Sequence, residues 1–332
     1  MSVICRHDRT PKVVKNIIHR TIKDKNVFNT PTKNENRRPR KLSIYSPAVK
    51  LPQIERVINV LQFSDIEIKK CLGSGGFGSV YEGFIKGTRV AVKRLHAVTK
   101  NPKARDESFK AELHTINLKH PNVVQTLSAS STDTFIVMEF AGDRNLQQII
   151  NNPDEHISEK AMLAYSLDLA KAMEFTHENH IVHLDIKPAN IIVTPKGICK
   201  LCDFGCCQKV EIDTGIVSPT KRSYLTGTFA YRAPELLKGE APTFKADVYG
   251  YGITLWQINS RDTPYSGQNQ HVVIFGVVSL NVRPKPPVID HSASPVQSLY
   301  QGLYQECWVA KPEERPTSKD IVDTLEIWRE YY

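Results

Sequence analysis

The chain carries His183-Leu184-Asp185-Ile186-Lys187-Pro188-Ala189-Asn190 and, thirteen residues past Asn190, Asp203-Phe204-Gly205. Two carboxylates, one ammonium and one amide at this spacing form a donor set suited to phosphoryl transfer. Asp185 can accept the proton of an attacking hydroxyl, and Lys187 can neutralise a transferring γ-phosphoryl group. Asn190 can offer an amide oxygen to Mg²⁺. Asp203 can bridge that ion to phosphates, because hard cations prefer carboxylate oxygen. Either motif alone is common by chance. Both in order, with a short hairpin between them and two further motifs upstream, are not a coincidence.

Upstream of these motifs stands Gly73-Ser74-Gly75-Gly76-Phe77-Gly78-Ser79-Val80. A lone G-x-G-x-x-G is weak evidence. In a dinucleotide-binding fold its third glycine opens a helix, whereas here Gly78 runs into the strand-like Val80-Tyr81-Glu82-Gly83-Phe84. That context favours a β-hairpin flap whose backbone N–H groups approach phosphates closely. After the turn Lys86-Gly87-Thr88-Arg89 comes Val90-Ala91-Val92-Lys93. A lysine facing inward from a strand needs an anionic partner. Glu112, on the helix expected over Ala104–Leu118, is the first candidate and Glu107 the second. Paired in this way, Lys93 can hold the α- and β-phosphates of a nucleotide.

The coarse periodicity divides the chain. Alternation at Ile66, Ile68 and Leu72 marks a strand, and strands are expected again at Val123–Ser128 and Phe135–Phe140. The expected helix Ala104–Leu118 places Phe109, Leu113 and Ile116 on one face and ends at His120-Pro121-Asn122. Past residue 141 the period is helical. A long helix opens at Ser158-Glu159 and runs to about His177, and another spans Phe244–Ile258. Short strands Ile191–Val193 and Ile198–Cys202 flank Pro195-Lys196-Gly197. The fold class is α+β: a small antiparallel-sheet lobe over 63–140 with one main helix, then a larger, mainly helical lobe over 141–331. A ligand cleft is expected between them.

Of 332 residues, 44 are Lys or Arg and 35 Asp or Glu, a net charge of +9. Residues 1–62 hold 14 basic and 4 acidic side chains, so the remainder is close to neutral at 30 against 31. The basic character belongs to the N-terminal segment, which reads as a disordered tail. No aromatic interleaving or nucleic-acid motif accompanies it, so nucleic-acid binding is not expected. The apolar run Val272–Leu280 falls far short of the ~20 residues a bilayer needs, so no membrane association is expected. Asp8 and Asp24 argue against a mitochondrial presequence over Val13–Lys25. The 7 cysteines, an odd number in a long chain, read as reduced thiols in a cytosolic or nuclear protein, and a cytoplasmic location is expected. For the cluster Cys199, Cys202, Cys206 and Cys207, a zinc site and plain buried thiols are both open.

Taken together with Ala233-Pro234-Glu235, these motifs resemble the signature set of eukaryotic protein kinases over about Phe63–Tyr331. The resemblance implies a bilobal kinase fold using ATP and Mg²⁺. Lys187 with Gly227-Thr228 resembles the serine/threonine type, in which Thr228 would meet Asp185 and Lys187. The likeness also implies that Glu235 pairs with Arg315 and that Asp247 steadies the catalytic-loop backbone. By position, Leu72, Gly73, Gly75, Gly76, Gly78, Val80 and Ala91 would cover the nucleotide, with Ile192 beneath it. Met138 would precede the link Glu139-Phe140-Ala141, whose backbone would meet the adenine, and Asn145 would approach the ribose.

A narrower set is similar to the Mos kinase family: Leu184-Asp185-Ile186-Lys187-Pro188-Ala189-Asn190-Ile191, Asp203-Phe204-Gly205-Cys206, Arg232-Ala233-Pro234-Glu235-Leu236-Leu237-Lys238-Gly239-Glu240 and Pro264-Tyr265-Ser266-Gly267. That likeness implies a germ-cell MAP kinase kinase kinase acting on a MAP kinase kinase in oocyte maturation. A Raf-like kinase and a catalytically silent scaffold are the rivals. A silent member usually lacks Lys93, Asp185 or Asp203, and all three are present. Leu184 stands where most kinases carry an arginine that pairs with an activation-segment phosphate. Activity independent of such a phosphate is therefore expected. Arg37-Arg38-Pro39-Arg40-Lys41-Leu42-Ser43-Ile44 resembles a docking peptide for a MAP kinase, with a solvated basic tail as the alternative.

Overall fold

The computed structural model describes residues 61–210, 228–289 and 295–332. Tail residues 1–60, with the Arg37–Ile44 segment among them, Gly227 and the hydroxyl residues Thr214–Thr226 lie outside the described residues. Gln62–Tyr332 form one compact unit, which contains every element of the fold named below.

Five antiparallel strands form one sheet in the order β1-β2-β3-β5-β4: β1 Glu67–Ser74, β2 Gly78–Ile85, β3 Thr88–Leu95, β4 Thr126–Ser130 and β5 Phe135–Glu139. β2 and β3 pair without a slip from Gly78↔Leu95 to Ile85↔Thr88. Lys86 and Gly87 join them, both at positive φ (48° and 79°), the backbone that a two-residue hairpin demands. This register puts Val90 and Val92 on the fully buried face. Ala91 and Lys93 turn to the opposite face, beside Val80, Ile136 and Met138.

Helix α1 (Pro102–Glu112) starts with Asn101, whose side chain accepts from Ala104 N–H at 3.0 Å, and with Pro102 in its first turn. It is shorter than the periodicity suggests. After Glu112 the chain tightens into a 3₁₀ turn, Leu113–Thr115. The Thr115 hydroxyl donates back to the Glu112 carbonyl at 2.7 Å within this turn. Leu113 consequently stands 37% exposed rather than sharing the buried face of Phe109. The strand expected from Val123 also begins late, at Thr126. Val124 N–H instead donates to Leu201 O at 2.9 Å, tying the sheet lobe to the helical one.

The larger lobe contains α2 (Leu146–Asn151), α3 (Glu159–Glu178), α4 (Pro234–Leu237), α5 (Phe244–Ser260), α6 (Gln270–Ser279), α7 (Pro295–Cys307) and α8 (Ser318–Tyr331). Its strands pair as β6 (Ile181–Val182) with β9 (Gln208–Lys209) and β7 (Ile191–Val193) with β8 (Cys199–Leu201). Ser158 caps α3 as expected, and Leu163, Leu167 and Ala170 are buried along it. α5 is buried from Ala246 to Ile258 and forms the lobe's spine. At its end Arg261 takes the left-handed conformation (φ 60°). Its guanidinium donates to the carbonyls of Ile149, Ile150, Asn152 and Glu155, satisfying the open C-terminus of α2. No helix among the described residues is long and apolar enough to cross a membrane.

Candidate active site

Between the sheet and the helical lobe lies a cleft of about 480 Å³, within the range of small-molecule sites. The nucleotide-side residues named from sequence all line it: Leu72, Gly73, Gly75, Gly76, Gly78, Val80, Ala91, Met138, Glu139, Ala141 and Ile192. So do Lys93, Glu112, Asp185, Lys187, Asn190 and Asp203. A Cβ at Gly78 would stand 2.6 Å from Arg94 O, so only glycine lets the flap strand lie this close to β3. Glu139 presents backbone to the cleft, since its side chain is engaged by Gln125 N–H (2.9 Å) and Lys200 Nζ (2.8 Å). The Asn145 side-chain oxygen Oδ1 is likewise taken, as the cap of α2, by Gln148 N–H at 2.9 Å.

At the roof, β3 and α1 bring Lys93 Nζ onto Glu112 Oε1, making Glu112 rather than Glu107 its partner. The same ammonium donates to Asp203 Oδ1 at 2.7 Å. Burial opposes the charge on Lys93, but Asp203 and Glu112 outweigh it and hold its pKa above the ordinary lysine value. Lys93 in turn holds the Asp203 carboxyl down to about 2. Glu112 is the most buried of the three, and burial raises its pKa against the pull of Lys93. Asp203 takes the left-handed conformation (φ 61°), which turns its carboxylate into the cleft with the side chain 45% exposed. Ionised and reachable, it fits a hard cation.

The floor is fixed from below by Asp247 of α5. Its carboxylate accepts from the N–H groups of His183 and Leu184, both at 2.7 Å, and lies 3.0 Å from His177 Nε2. His183 Nε2 donates to Cys202 O (3.1 Å) and its Nδ1 accepts from Asp185 N–H (3.2 Å), which defines a neutral tautomer. The ring packs edge-to-face on Phe204, 4.6 Å away. Asp185 Oδ2 accepts from Lys187 Nζ at 2.7 Å and from Asn190 Nδ2 at 2.9 Å. With its NH₂ engaged, Asn190 keeps its amide oxygen for another partner. Lys187 also donates to Thr228 Oγ1 at 3.0 Å. Farther down, Glu235 and Arg315 form a buried bidentate pair at 2.6 and 2.8 Å.

Leu184 (φ 66°) packs with Val182, Val210 and Phe244, an apolar cluster at the place where a phosphate-pairing arginine would stand. Several lining residues escaped the sequence reading, Phe77, Ser108 and Val124 among them. The aromatic between two flap glycines and the valine after His120-Pro121-Asn122 could have flagged two of them. Nothing local marks Ser108. The cysteines form no zinc site: no group of three or more metal-ligating His, Cys, Asp or Glu side chains occurs among the described residues. Burial instead pushes the Cys206 thiol up to about 12 and raises Cys199 and Cys202 as well.

A protein kinase domain model matches residues 66–325. The chain therefore belongs to the protein kinase family, as the bilobal architecture and the cleft indicate. The serine/threonine-protein kinase mos of Patiria pectinifera is 47% identical over 269 residues, 79% of this chain and 75% of that one. The Xenopus laevis protein of the same name is 37% identical (80% of this chain, 77% of that one). The Mus musculus proto-oncogene serine/threonine-protein kinase mos is 39% identical (78% and 79%). Within the protein kinases, this chain belongs to the Mos serine/threonine kinases.

Proposed function

We propose that this chain is a MAP kinase kinase kinase that moves the γ-phosphoryl of ATP, with Mg²⁺, to Ser or Thr hydroxyls of a MAP kinase kinase during oocyte meiotic maturation. We assign it to the cytoplasm. The observation that carries the catalytic reading is the convergence of Lys93, Glu112, Asp203, Asp185, Asn190 and Lys187 on one cleft. That convergence weighs against a silent scaffold. The choice of substrate and process rests on likeness to the Mos family.

In this reading the glycine flap and Lys93 orient the triphosphate. Asp203, already ionised, and the free amide oxygen of Asn190 would hold the cation. Mg²⁺ held there would supply positive charge to neutralise the phosphates. Asp185 accepts the hydroxyl proton, and Lys187, held between Asp185 and Thr228, faces the transferring group. Positioning and electrostatics supply most of the acceleration. Because Leu184 cannot pair with a phosphate, activity does not depend on one anchored beside Asp185. Alanine at every hydroxyl residue from Thr214 to Thr226 tests this: loss of activity in a folded chain would contradict it. The basic segment Arg37–Ile44 docks a MAP kinase, a reading that MAP kinase binding unchanged by Leu42→Ala plus Ile44→Ala would remove.

The deciding assay offers recombinant MAP kinase kinase and ATP to the purified chain, with Asp203→Ala as control and the modified residues mapped. Phosphoserine or phosphothreonine on the substrate, absent with the control, is expected. Transfer by the control, or none by the wild type, overturns the reading.

A further inference from the structure

Arg232 stands between the 3₁₀ turn Phe229–Tyr231 and α4, only 7% exposed. A buried guanidinium is costly unless an anion balances it. Among the described residues its Nε has no hydrogen-bond partner. The side chain lines a small cavity of about 10 Å³ together with Leu184, Asp185, Thr228 and Asp247.

Two carboxylates line the same cavity, Asp185 and Asp247. Asp247 is committed to the backbone of His183 and Leu184 and to His177. Glu235 is committed to Arg315 through both oxygens. Asp185, by contrast, keeps Oδ1 outside the side-chain hydrogen bonds described for its carboxylate, both of which arrive at Oδ2. Burial pushes the Arg232 pKa down, while Cys206 and Asp185 oppose the fall. The neighbouring Leu184 contributes only apolar packing.

We propose that Arg232 is a positioning residue for Asp185, supplying from the Ala233-Pro234-Glu235 side the fixed positive charge that Leu184 lacks. The inference rests on the phosphotransfer reading of the site. In it Arg232 never touches ATP. It sets the direction and local field of the carboxylate that receives the hydroxyl proton.

The test compares the full chain with Arg232→Gln, Arg232→Met and Arg232→Lys in one phosphotransfer assay, with thermal melts alongside. The neutral variants are expected to lose about tenfold or more in kcat while KM for ATP stays within about twofold. Lysine, which keeps the charge, is expected to recover most of the loss. Equal losses in all three variants, or a loss confined to KM for ATP, would mean that shape or nucleotide binding matters instead, and the proposal falls. It falls too if neither neutral variant folds, since the charge would then serve the fold. A wild-type chain that transfers no phosphoryl group overturns the site reading along with it, whereas an active wild type with insensitive variants overturns this inference alone.

Discussion

The molecule holds two ion clusters built from the same chemistry and put to opposite uses. In the helical lobe, Arg315 spends all five N–H donors: two on Glu235 (2.6 and 2.8 Å) and three on the carbonyls of Val309, Lys245 and Ala310 (2.9, 2.7 and 3.1 Å). The two side chains are 0% and 5% exposed, so nothing is left for a ligand. In the cleft, Lys93 joins a carboxylate that is 3% exposed to one that is 45% exposed. Closing every valence makes a structural element. Leaving one charged oxygen open makes a binding site.

The largest expected effect breaks the closed cluster. Arg315→Ala strands the Glu235 carboxylate in the interior and should cost about 3–5 kcal/mol of stability. Urea unfolding measures this, and a loss below about 1 kcal/mol would show that the pair does not hold the lobe together.

Next comes the open cluster. Lys93→Met should reduce kcat/KM by about 10²–10³, in line with the loss of one preorganised charge contact. Stability should change far less than for Arg315→Ala, because burial already favours the protonated form of Glu112. Asp203 adds a pH signature. Its folded pKa is about 2 against an ordinary 3.8, so its stabilising contribution is present above 3.8 and fades as pH falls toward 2. In Lys93→Met that acid-side slope should flatten. An unfolding midpoint for Lys93→Met as low as that of Arg315→Ala would erase the distinction between the clusters.

The open cluster was legible in the sequence because its members sit in motifs whose spacing encodes chemistry, whereas the Glu235–Arg315 pair was expected only from the resemblance to protein kinases. Lys93 was marked by strand alternation, and Asp185, Asn190 and Asp203 by their mutual offsets. The long helix α3 was legible through its apolar period and its Ser158 cap. Other features depend on partners distant in sequence. Nothing near Val124 announces that it will pair with Leu201. Arg261 caps carbonyls more than a hundred residues earlier in the chain, so its role had no local signature. Ser108 belongs with these. Its hydroxyl occupies the space where a Cβ on Gly205 would stand, a contact between α1 and the turn after Asp203.

That contact sharpens the comparison at a smaller scale, since it couples the helix bearing Glu112 to the turn bearing Asp203. Gly205→Ala should destabilise by about 1–3 kcal/mol through overpacking. Ser108→Ala in the same chain should return part of the loss, with a coupling above about 0.5 kcal/mol in a double-mutant cycle. Strict additivity would show that the turn relaxes away from α1 without cost.

The smallest effect concerns the junction between the lobes. The His120 ring stacks on Phe175 of α3 at 4.7 Å, and its Nδ1 accepts from Asn122 N–H at 3.1 Å. Asn122 Nδ2 in turn donates to Cys199 O at 3.0 Å, so the ring lies where the sheet lobe is tied to the helical one. Burial, followed by Lys200 and Lys171, lowers the His120 pKa below its ordinary 6.5. The folded chain therefore binds fewer protons here than the unfolded chain does just below pH 6.5. Stability should be fully present above that value and decline as pH falls toward the folded pKa. Protonating Nδ1 also removes the acceptor for Asn122 N–H, which adds to the decline. Replacing the ring with a side chain that does not titrate isolates the junction's share of the slope from that of either ion cluster. Melting temperature followed from pH 7.5 to 5.5 should fall less steeply for His120→Gln than for the wild type. Parallel curves would place the acid sensitivity of the fold elsewhere.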